Sequence, residues 1–407
     1  MQIDKETACM PTKIKDVVLS NPFIVASGPA SRTVEQIVEA EENGWGGISI
    51  KLTFEPEPYI SRNPRYRWLK DYGYHIFTLE KRLNMNEGIK LVKEARKKTK
   101  DIVIFANIAY CGENGNAGWG EMAKKFEDIG AHIIELNFCC PNMSFNLDLN
   151  QVEKSGRHLS GASLGSVPEI VSVITSAVRN AVKIPIVTKL TPEGGRIGEV
   201  AKAAILSGAD AVSGTANRLG IPPIDIYNPE NVIYRLQKGY SLGCLSGPWI
   251  RTLALRDVFE MRNAIGKEPI IIGTGGTENY RDAVEMCMLG ADFIGICTAV
   301  MLKGFGILPR IMKDLRKYLN DMSKEKFSDL RDMALPQFKS AQNLVSLQGY
   351  ANVDLKKCTG CKKCANISHC SAISIVNKKA QINIESCLGC STCVDICTQG
   401  AIKMKEV

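Results

Sequence analysis

The sequence predicts an α/β protein: a (β/α)8 TIM barrel over residues 1–315, a closing helix and linker over 316–350, and a small cysteine-rich domain over 351–407. Three observations predict it. Short β-branched runs alternate eight times with helical patterns over roughly 300 residues, the arithmetic of such a barrel. Polar residues stand where those runs stop. Eight of the fifteen cysteines crowd into 358–397, after the alternation has ended. A doubly wound open sheet is the alternative for the first part, but it normally uses fewer strands.

In order, the expected strands are Phe23–Ala26, Gly47–Lys51, Ile102–Ala106, His132–Leu136, Pro185–Lys189, Ala211–Ser213, Pro269–Ile272 and Phe293–Ile296. Amphipathic spacing predicts helices between them, most clearly over 166–182 and 197–207. Gly-Ala-Asp occurs twice, at 208–210 and 290–292, each time closing a helix just before a strand. Ligands gather at the C-terminal ends of barrel strands. Ser27, Lys51, Asn107, Asn137, Lys189, Gly275-Gly276 and Cys297-Thr298 all fall there. Any one of them reads as a strand stop; the whole set reads as a site. The fourth strand runs into Asn137-Phe-Cys139-Cys140-Pro-Asn142, and a polar loop over about 141–166 follows, suited to closing over a ligand. Leu335-Pro336 marks a break, and a domain boundary is expected near residue 345.

Hydrophobic content of 45% and charged content of 23% are those of ordinary globular proteins. The start lacks a signal-peptide pattern and no long apolar run exists, so a cytoplasmic protein without membrane contact is expected. Lysine and arginine exceed the acidic residues by eight, but they are scattered and read as solvated surface, not a nucleic-acid stripe.

The tail contains Cys358-x2-Cys361-x2-Cys364-x5-Cys370 and Cys387-x2-Cys390-x2-Cys393-x3-Cys397. Three cysteines two residues apart wrap one corner of an iron–sulfur cube, and the distant fourth reaches the other cube in a bacterial-ferredoxin-like fold. Cys358, Cys361, Cys364 and Cys397 are therefore assigned to one 4Fe–4S cluster, and Cys370, Cys387, Cys390 and Cys393 to the second. Zinc, which favours paired Cys-x2-Cys units, fits the triplets less well. The x5 gap and the Ser371 and Thr398 that follow the fourth cysteines depart from the bacterial pattern. Two clusters imply a one-electron relay. A barrel fused to one needs a group that converts single electrons into pairs, as flavin does.

Asn21-Pro-Phe-Ile-Val-Ala-Ser-Gly-Pro-Ala30, Asn137–Asn142, Lys189-Leu-Thr-Pro192, Leu245-Ser-Gly-Pro248, Leu253-Ala-Leu-Arg256, Thr274-Gly-Gly276 and Cys297-Thr-Ala-Val-Met301 resemble the FMN barrel of dihydroorotate and dihydropyrimidine dehydrogenases. With its cysteine tail the chain is similar to the catalytic subunits of the bacterial NAD-dependent dihydropyrimidine branch. The resemblance implies an FMN-phosphate clamp at Gly247, Thr274, Gly275, Gly276, Cys297 and Thr298. It places Lys51 and Lys189 against the flavin ring with Ser27 at its edge, and makes Cys140 the acid/base on the loop. A thiol has a reference pKa near 8.5, tunable for that work; Cys139 reads as a small buried hydrophobe.

The substrate side departs from the family. Thr78 stands where pyrimidine enzymes carry Asn, while Glu80 is retained. Thr215-Ala216-Asn217-Arg218 is one residue longer than the family's Thr-Asn-Thr, so Asn217 joins Asn137 as an amide reader and Arg218 is new, suited to a carboxylate clamp or to solvent. The favoured reading is an FMN and iron–sulfur oxidoreductase acting on a CH–CH or C=C bond of a small cyclic substrate, uracil or thymine by default. The alternatives are a dihydroorotate-type dehydrogenase, a reductase of another unsaturated cyclic amide, acid or enone, and a non-catalytic electron-transfer module. Gly273-Thr-Gly-Gly-Thr belongs to the clamp, so no NAD site is expected. The expected electron partner is an FAD- and NAD(P)H-binding flavoprotein subunit or a free ferredoxin. Family members self-associate, so an oligomer is expected.

Overall fold

The computed structural model describes residues 10, 12–56, 62–140, 161–214 and 217–407. The chain divides into two units, Met1–Pro336 and Gln337–Val407. In the first, eight parallel strands close on themselves: β1 Phe23–Val25, β2 Gly47–Ser49, β3 Val103–Tyr110, β4 Ile133–Asn137, β5 Ile186–Lys189, β6 Ala211–Ser213, β7 Ile270–Thr274 and β8 Phe293–Ile296. β8 pairs with β1 (Ile294 opposite Phe23) and β2 with β3 (Gly47 opposite Val103), which completes the ring. The expected barrel is the observed one.

Helices α1 Val34–Glu42, α2 Met85–Lys98, α3 Gly115–Asp128, α4 Pro168–Ala181, α5 Ile197–Leu206, α6 Arg251–Ile265, α7 Tyr280–Met288 and α8 Ile307–Asp321 follow the strands in turn. Local chemistry starts three of them. Thr33, Asn84 and Asn279 each accept a backbone N–H in the first turn while Gln36, Glu87 and Asp282 reach back, the reciprocal capping box. Outward strand residues such as Ile104, Ile134, Val212 and Ile271 pack under these helices in one core cluster.

Side chains alternate along a strand, so one face of each points into the barrel. At the N-terminal end that face is apolar: Val103, Phe105, Ile133, Val187, Ala211, Ile272 and Phe293 form one buried cluster. The antiparallel hairpin Thr12–Ile14 and Val17–Leu19 adds Ile14 and Leu19 to it and closes that end. Two residues further along, the same face turns polar: Asn107, Glu135, Lys189, Ser213 and Thr274, all buried. A barrel dry at one end and polar at the other has its chemistry at the polar end.

Two strand-to-helix connections add a sheet there. Arg65–Leu69 and Tyr74–Leu79, between β2 and α2, pair antiparallel with each other and then with Gly243–Ser246 and Arg218–Gly220, between β6 and α6. After α8, Phe327 and Leu330 are buried in the barrel core, and Phe327 lies 6.0 Å from Phe23 between ring centroids. Among the described residues no helix is long and apolar enough to cross a membrane.

The second unit is built from two antiparallel pairs, Gly349–Val353 with Ile402–Glu406 and Ile373–Val376 with Lys379–Ile382, plus the short helix Thr392–Ile396. Asn377 and Lys378 take positive φ (48° and 61°), the left-handed pair of a tight hairpin turn. Its small core is Ala351, Ile367, Ala380, Ala401 and Ile402 together with cysteines.

Candidate active site

The ends of β7 and β8 form a cavity lined by Gly247, Thr274, Gly275, Gly276, Thr277, Glu278, Gly295, Cys297 and Thr298. Four glycines and three threonines supply most of its walls. Gly247 (φ +101°) and Gly276 (φ +76°) adopt conformations that β-carbons disfavour, and a β-carbon on Gly276 would meet the Arg251 backbone at 2.9 Å. Such close-approach backbone suits a phosphate held by N–H groups. Glu278 also lines the cavity, its charge balanced by Lys303 at 3.0 Å. Thr298 donates to Ser246 Oγ at 3.0 Å, tying the cavity to the added sheet.

A second cavity adjoins it, lined by Ser27, Gly28, Tyr66, His75, Phe77, Glu80, Asn217, Ser246, Cys297 and Thr298. The pleat explains its roof. Tyr66 pairs with Phe77, Cys244 with Phe77 and Ser246 with His75, so these residues share one face of the sheet. Thr78 and Arg218 belong to the other face. Thr78 donates to Gln237 Oε1 at 2.8 Å, and Arg218 Nη2 pairs with buried Asp257 of α6 at 2.7 Å. Of the expected substrate residues, Glu80 and Asn217 therefore line the cavity. Tyr66, His75 and Phe77 do too, and the sequence analysis missed them, although the alternation of Tyr74–Leu79 after Gly73 carries a hairpin signal.

Lys51 and Glu80 are both buried and pair at 2.6 Å; Tyr66 donates to the same Glu80 Oε1 at 2.9 Å. Burial pushes the Glu80 carboxyl up, but Lys51 and Arg82 outweigh it and hold it below the usual range. Lys189 is 3% exposed; burial opposes its charge, yet Glu135 and the nearby thiols keep it above the ordinary lysine value. His75 is pushed down to about 4 by burial.

A buried polar chain crosses the barrel. Ser49 donates to Glu135 Oε2 at 2.5 Å, Asn107 donates to the same oxygen, and Asn137 donates to Asn107 Oδ1 at 3.0 Å. Asn137 Oδ1 in turn accepts the Cys139 N–H at 3.3 Å, which fixes the amide's orientation. Cys139 is buried, and burial pushes its thiol up to about 12. Cys140 is half-buried, and Arg82 Nη2 stands 3.5 Å from its sulfur. Residues 141–160, which hold most of the expected closing loop with Pro141 and Asn142, lie outside the described residues, as do Thr215 and Ala216.

In the second unit the eight cysteines fall into two sets. Cys358, Cys361, Cys364 and Cys397 line one cavity, and Cys370, Cys387, Cys390 and Cys393 line another. Backbone N–H groups aim at sulfur in both: Ala380 to Cys358 at 3.4 Å, Ala401 to Cys397 at 3.3 Å and Ala351 to Cys387 at 3.4 Å. Among the described residues no three His, Cys, Asp or Glu side chains converge on a single metal-ion position.

A family model described as dihydroorotate dehydrogenase matches residues 9–319. The NAD-dependent dihydropyrimidine dehydrogenase subunit PreA of Escherichia coli K12 is 29% identical over 356 residues, covering 86% of this chain and 82% of that protein. The catalytic subunit of dihydroorotate dehydrogenase B (NAD(+)) from Thermoplasma volcanium is 30% identical over 334 residues, 80% and 98% of the two chains. Its counterpart from Pyrococcus furiosus is 31% identical over 319 residues, 78% and 95%. A crystal structure of dihydroorotate dehydrogenase from Eimeria tenella in complex with ferulenol superposes with a TM-score of 0.64 at 16% identity, covering 81% and 89%. That last likeness shows the fold.

Proposed function

The chain belongs to the dihydroorotate dehydrogenase family, flavin-dependent oxidoreductases of the CH–CH group, and we propose that it reduces the C=C bond of uracil or thymine with electrons delivered through two 4Fe–4S clusters. The observation that carries this reading is Cys140, a half-buried thiol at the end of β4, at the same end of the barrel as the phosphate-suited cavity and the buried lysines.

The residues present fit FMN. Gly247, Thr274–Gly276 and Thr298 would hold the phosphate, with Ser27 and Cys297 at the ring's edge; Lys51 and Lys189, buried just beyond β2 and at the end of β5, would flank the ring. When bound, the flavin would supply one hydrogen together with an electron pair to one carbon of the double bond. The Cys140 Sγ–H then gives its proton to the neighbouring carbon, and the resulting thiolate regains one from solvent. Asn137 and Asn217 would read the ring's amide groups, and the apolar faces of Phe77 and Tyr66 exclude water from above. Arg218 is already paired with Asp257, which disfavours it as the clamp of a substrate carboxylate and with it the dihydroorotate reading.

The two cysteine sets fit two clusters. A cube keeps its four thiolates apart around its corners, and N–H groups directed at cysteine sulfur are a usual means of setting its potential. The clusters would pass electrons singly from a separate donor. The name of the E. coli relative, a subunit of an NAD-dependent enzyme, supports a flavoprotein partner binding FAD and NAD(P)H; a ferredoxin is the simpler donor. Turnover of uracil or thymine with a reduced viologen as donor tests the assignment. Cys140→Ala is expected to lower kcat by about 10²-fold or more while FMN stays bound. Unchanged turnover would remove Cys140 from the chemistry.

A further inference from the structure

Arg82 is a buried charge that the mechanism leaves without a role. It is 1% exposed, in the segment that leads from the added sheet to α2. A buried guanidinium is costly unless its charge is balanced. Arg82 Nη1 donates to the Glu80 carbonyl at 3.0 Å, and Nη2 is directed at Cys140 Sγ at 3.5 Å.

We propose that Arg82 is a positioning residue for Cys140, holding its sulfur at the barrel mouth through an N–H···S bond that strengthens whenever the sulfur carries charge. The inference rests on the reading of Cys140 as the proton-transfer group. Its physical basis is simple. A guanidinium donates to sulfur in either protonation state, but attracts it far more strongly when the sulfur carries the charge. The other charged and titratable groups that act on Cys140 are Lys189 at the end of β5, which also favours the anion, and the neighbouring Cys139 thiol. Glu80 faces Arg82 from the other side, but Lys51 already shares its charge.

The consequence concerns direction. In oxidation a C–H bond of the substrate breaks, its proton goes to the Cys140 thiolate, and the electron pair left on the carbons becomes the new C=C bond as the second hydrogen leaves with two electrons for the flavin. In reduction the same sulfur must first be protonated. A thiolate held by Arg82 is thus ready as a base. As an acid it works only after taking a proton from solvent, so reduction should fall off toward alkaline pH.

The test reads the sulfur directly. Iodoacetamide alkylation of Cys140 in the full chain, followed by peptide mass spectrometry across pH, gives the midpoint at which its sulfur becomes reactive. Arg82→Gln should move that midpoint up by about one pH unit or more, and Arg82→Lys by less. The alkaline limb of kcat for pyrimidine reduction should move in the same sense. An Arg82→Gln midpoint unmoved from the wild-type value overturns the inference. If Arg82→Gln does not fold, Arg82→Lys decides in its place, and a midpoint unmoved there overturns the inference. Cys140→Ala with full turnover would sink the proton-transfer reading instead, and leaves the alkylation result standing by itself.

Discussion

Lys51 and Glu80 are the residues on which the mouth of the barrel turns. Neither charge could stay buried alone, and at 2.6 Å each makes the other tolerable. Replacing Glu80 with Gln leaves the ammonium without its counter-charge, and the flavin-free protein should lose about 3–5 kcal/mol in denaturant unfolding. A loss within experimental error would mean that the pair is not the balance described. The sign of the pH effect follows from the same pair. Glu80 lies below its ordinary value in the folded chain, so its stabilisation is present above about pH 4.5 and is lost as pH falls further. The residue scale is also where the sequence was least legible. Glu80 and Asn217 were visible as candidates, but the turning of Arg218 toward Asp257, 39 residues away, depends on a strand pairing that no local pattern announces. Arg82 gave no signal at all, because its role comes from Cys140, 58 residues further along.

At the scale of elements, the seams between strands carry side chains that act as backbone partners. The Ile104 N–H donates to His132 Nδ1 at 2.9 Å between β3 and β4, while Asp210 accepts from Ile186 N–H at 2.8 Å and Asp292 from Ile271 N–H at 2.9 Å. The Gly-Ala-Asp repeat was legible as a helix stop, and Gly208 (φ +99°) and Gly290 (φ +114°) confirm it. That its aspartates also latch the neighbouring strand was not, since the acceptor's target lies in another element. His132 is held down to about 4, by burial first and Arg96 second. A depressed histidine stabilises the fold above the unfolded value near 6.5 and loses that contribution as pH falls toward 4, a change of roughly 3 kcal/mol. Unfolding free energies measured between pH 7 and 4 should show a shallower acid decline in His132→Asn than in the parent; identical slopes would contradict the assignment. The eight strands themselves were legible because each is a short β-branched run buried on both faces. The added sheet was not, because half of it comes from Arg218–Gly220 and Gly243–Ser246, short segments with no helix or strand periodicity of their own.

For the whole molecule, the proposed function gives the two cysteine sets the delivery of electrons and the polar end of the barrel the chemistry. The cysteine spacing alone suggested the crossed pairing, and the two cavities group the same residues. Anaerobic reconstitution of the full chain should yield about eight irons per chain. Cys364→Ser should remove about half of them and leave the spectrum of one cluster; loss of all iron, or of none, would contradict two separate sites. The substrate was the least legible property at this scale, because ring recognition rests on a few amide groups around a cavity whose roof comes from two distant connections.

The central claim is that flavin and Cys140 together act on a pyrimidine double bond. Its most direct measurement is an anaerobic titration of the reconstituted, fully reduced protein with uracil, thymine, orotate and simple cyclic enones, following the flavin absorbance. Rapid reoxidation by uracil or thymine, slowed by about 10²-fold in Cys140→Ala, is the result expected here. Silence toward both pyrimidines, with reoxidation by another ring, would contradict it and move the substrate elsewhere.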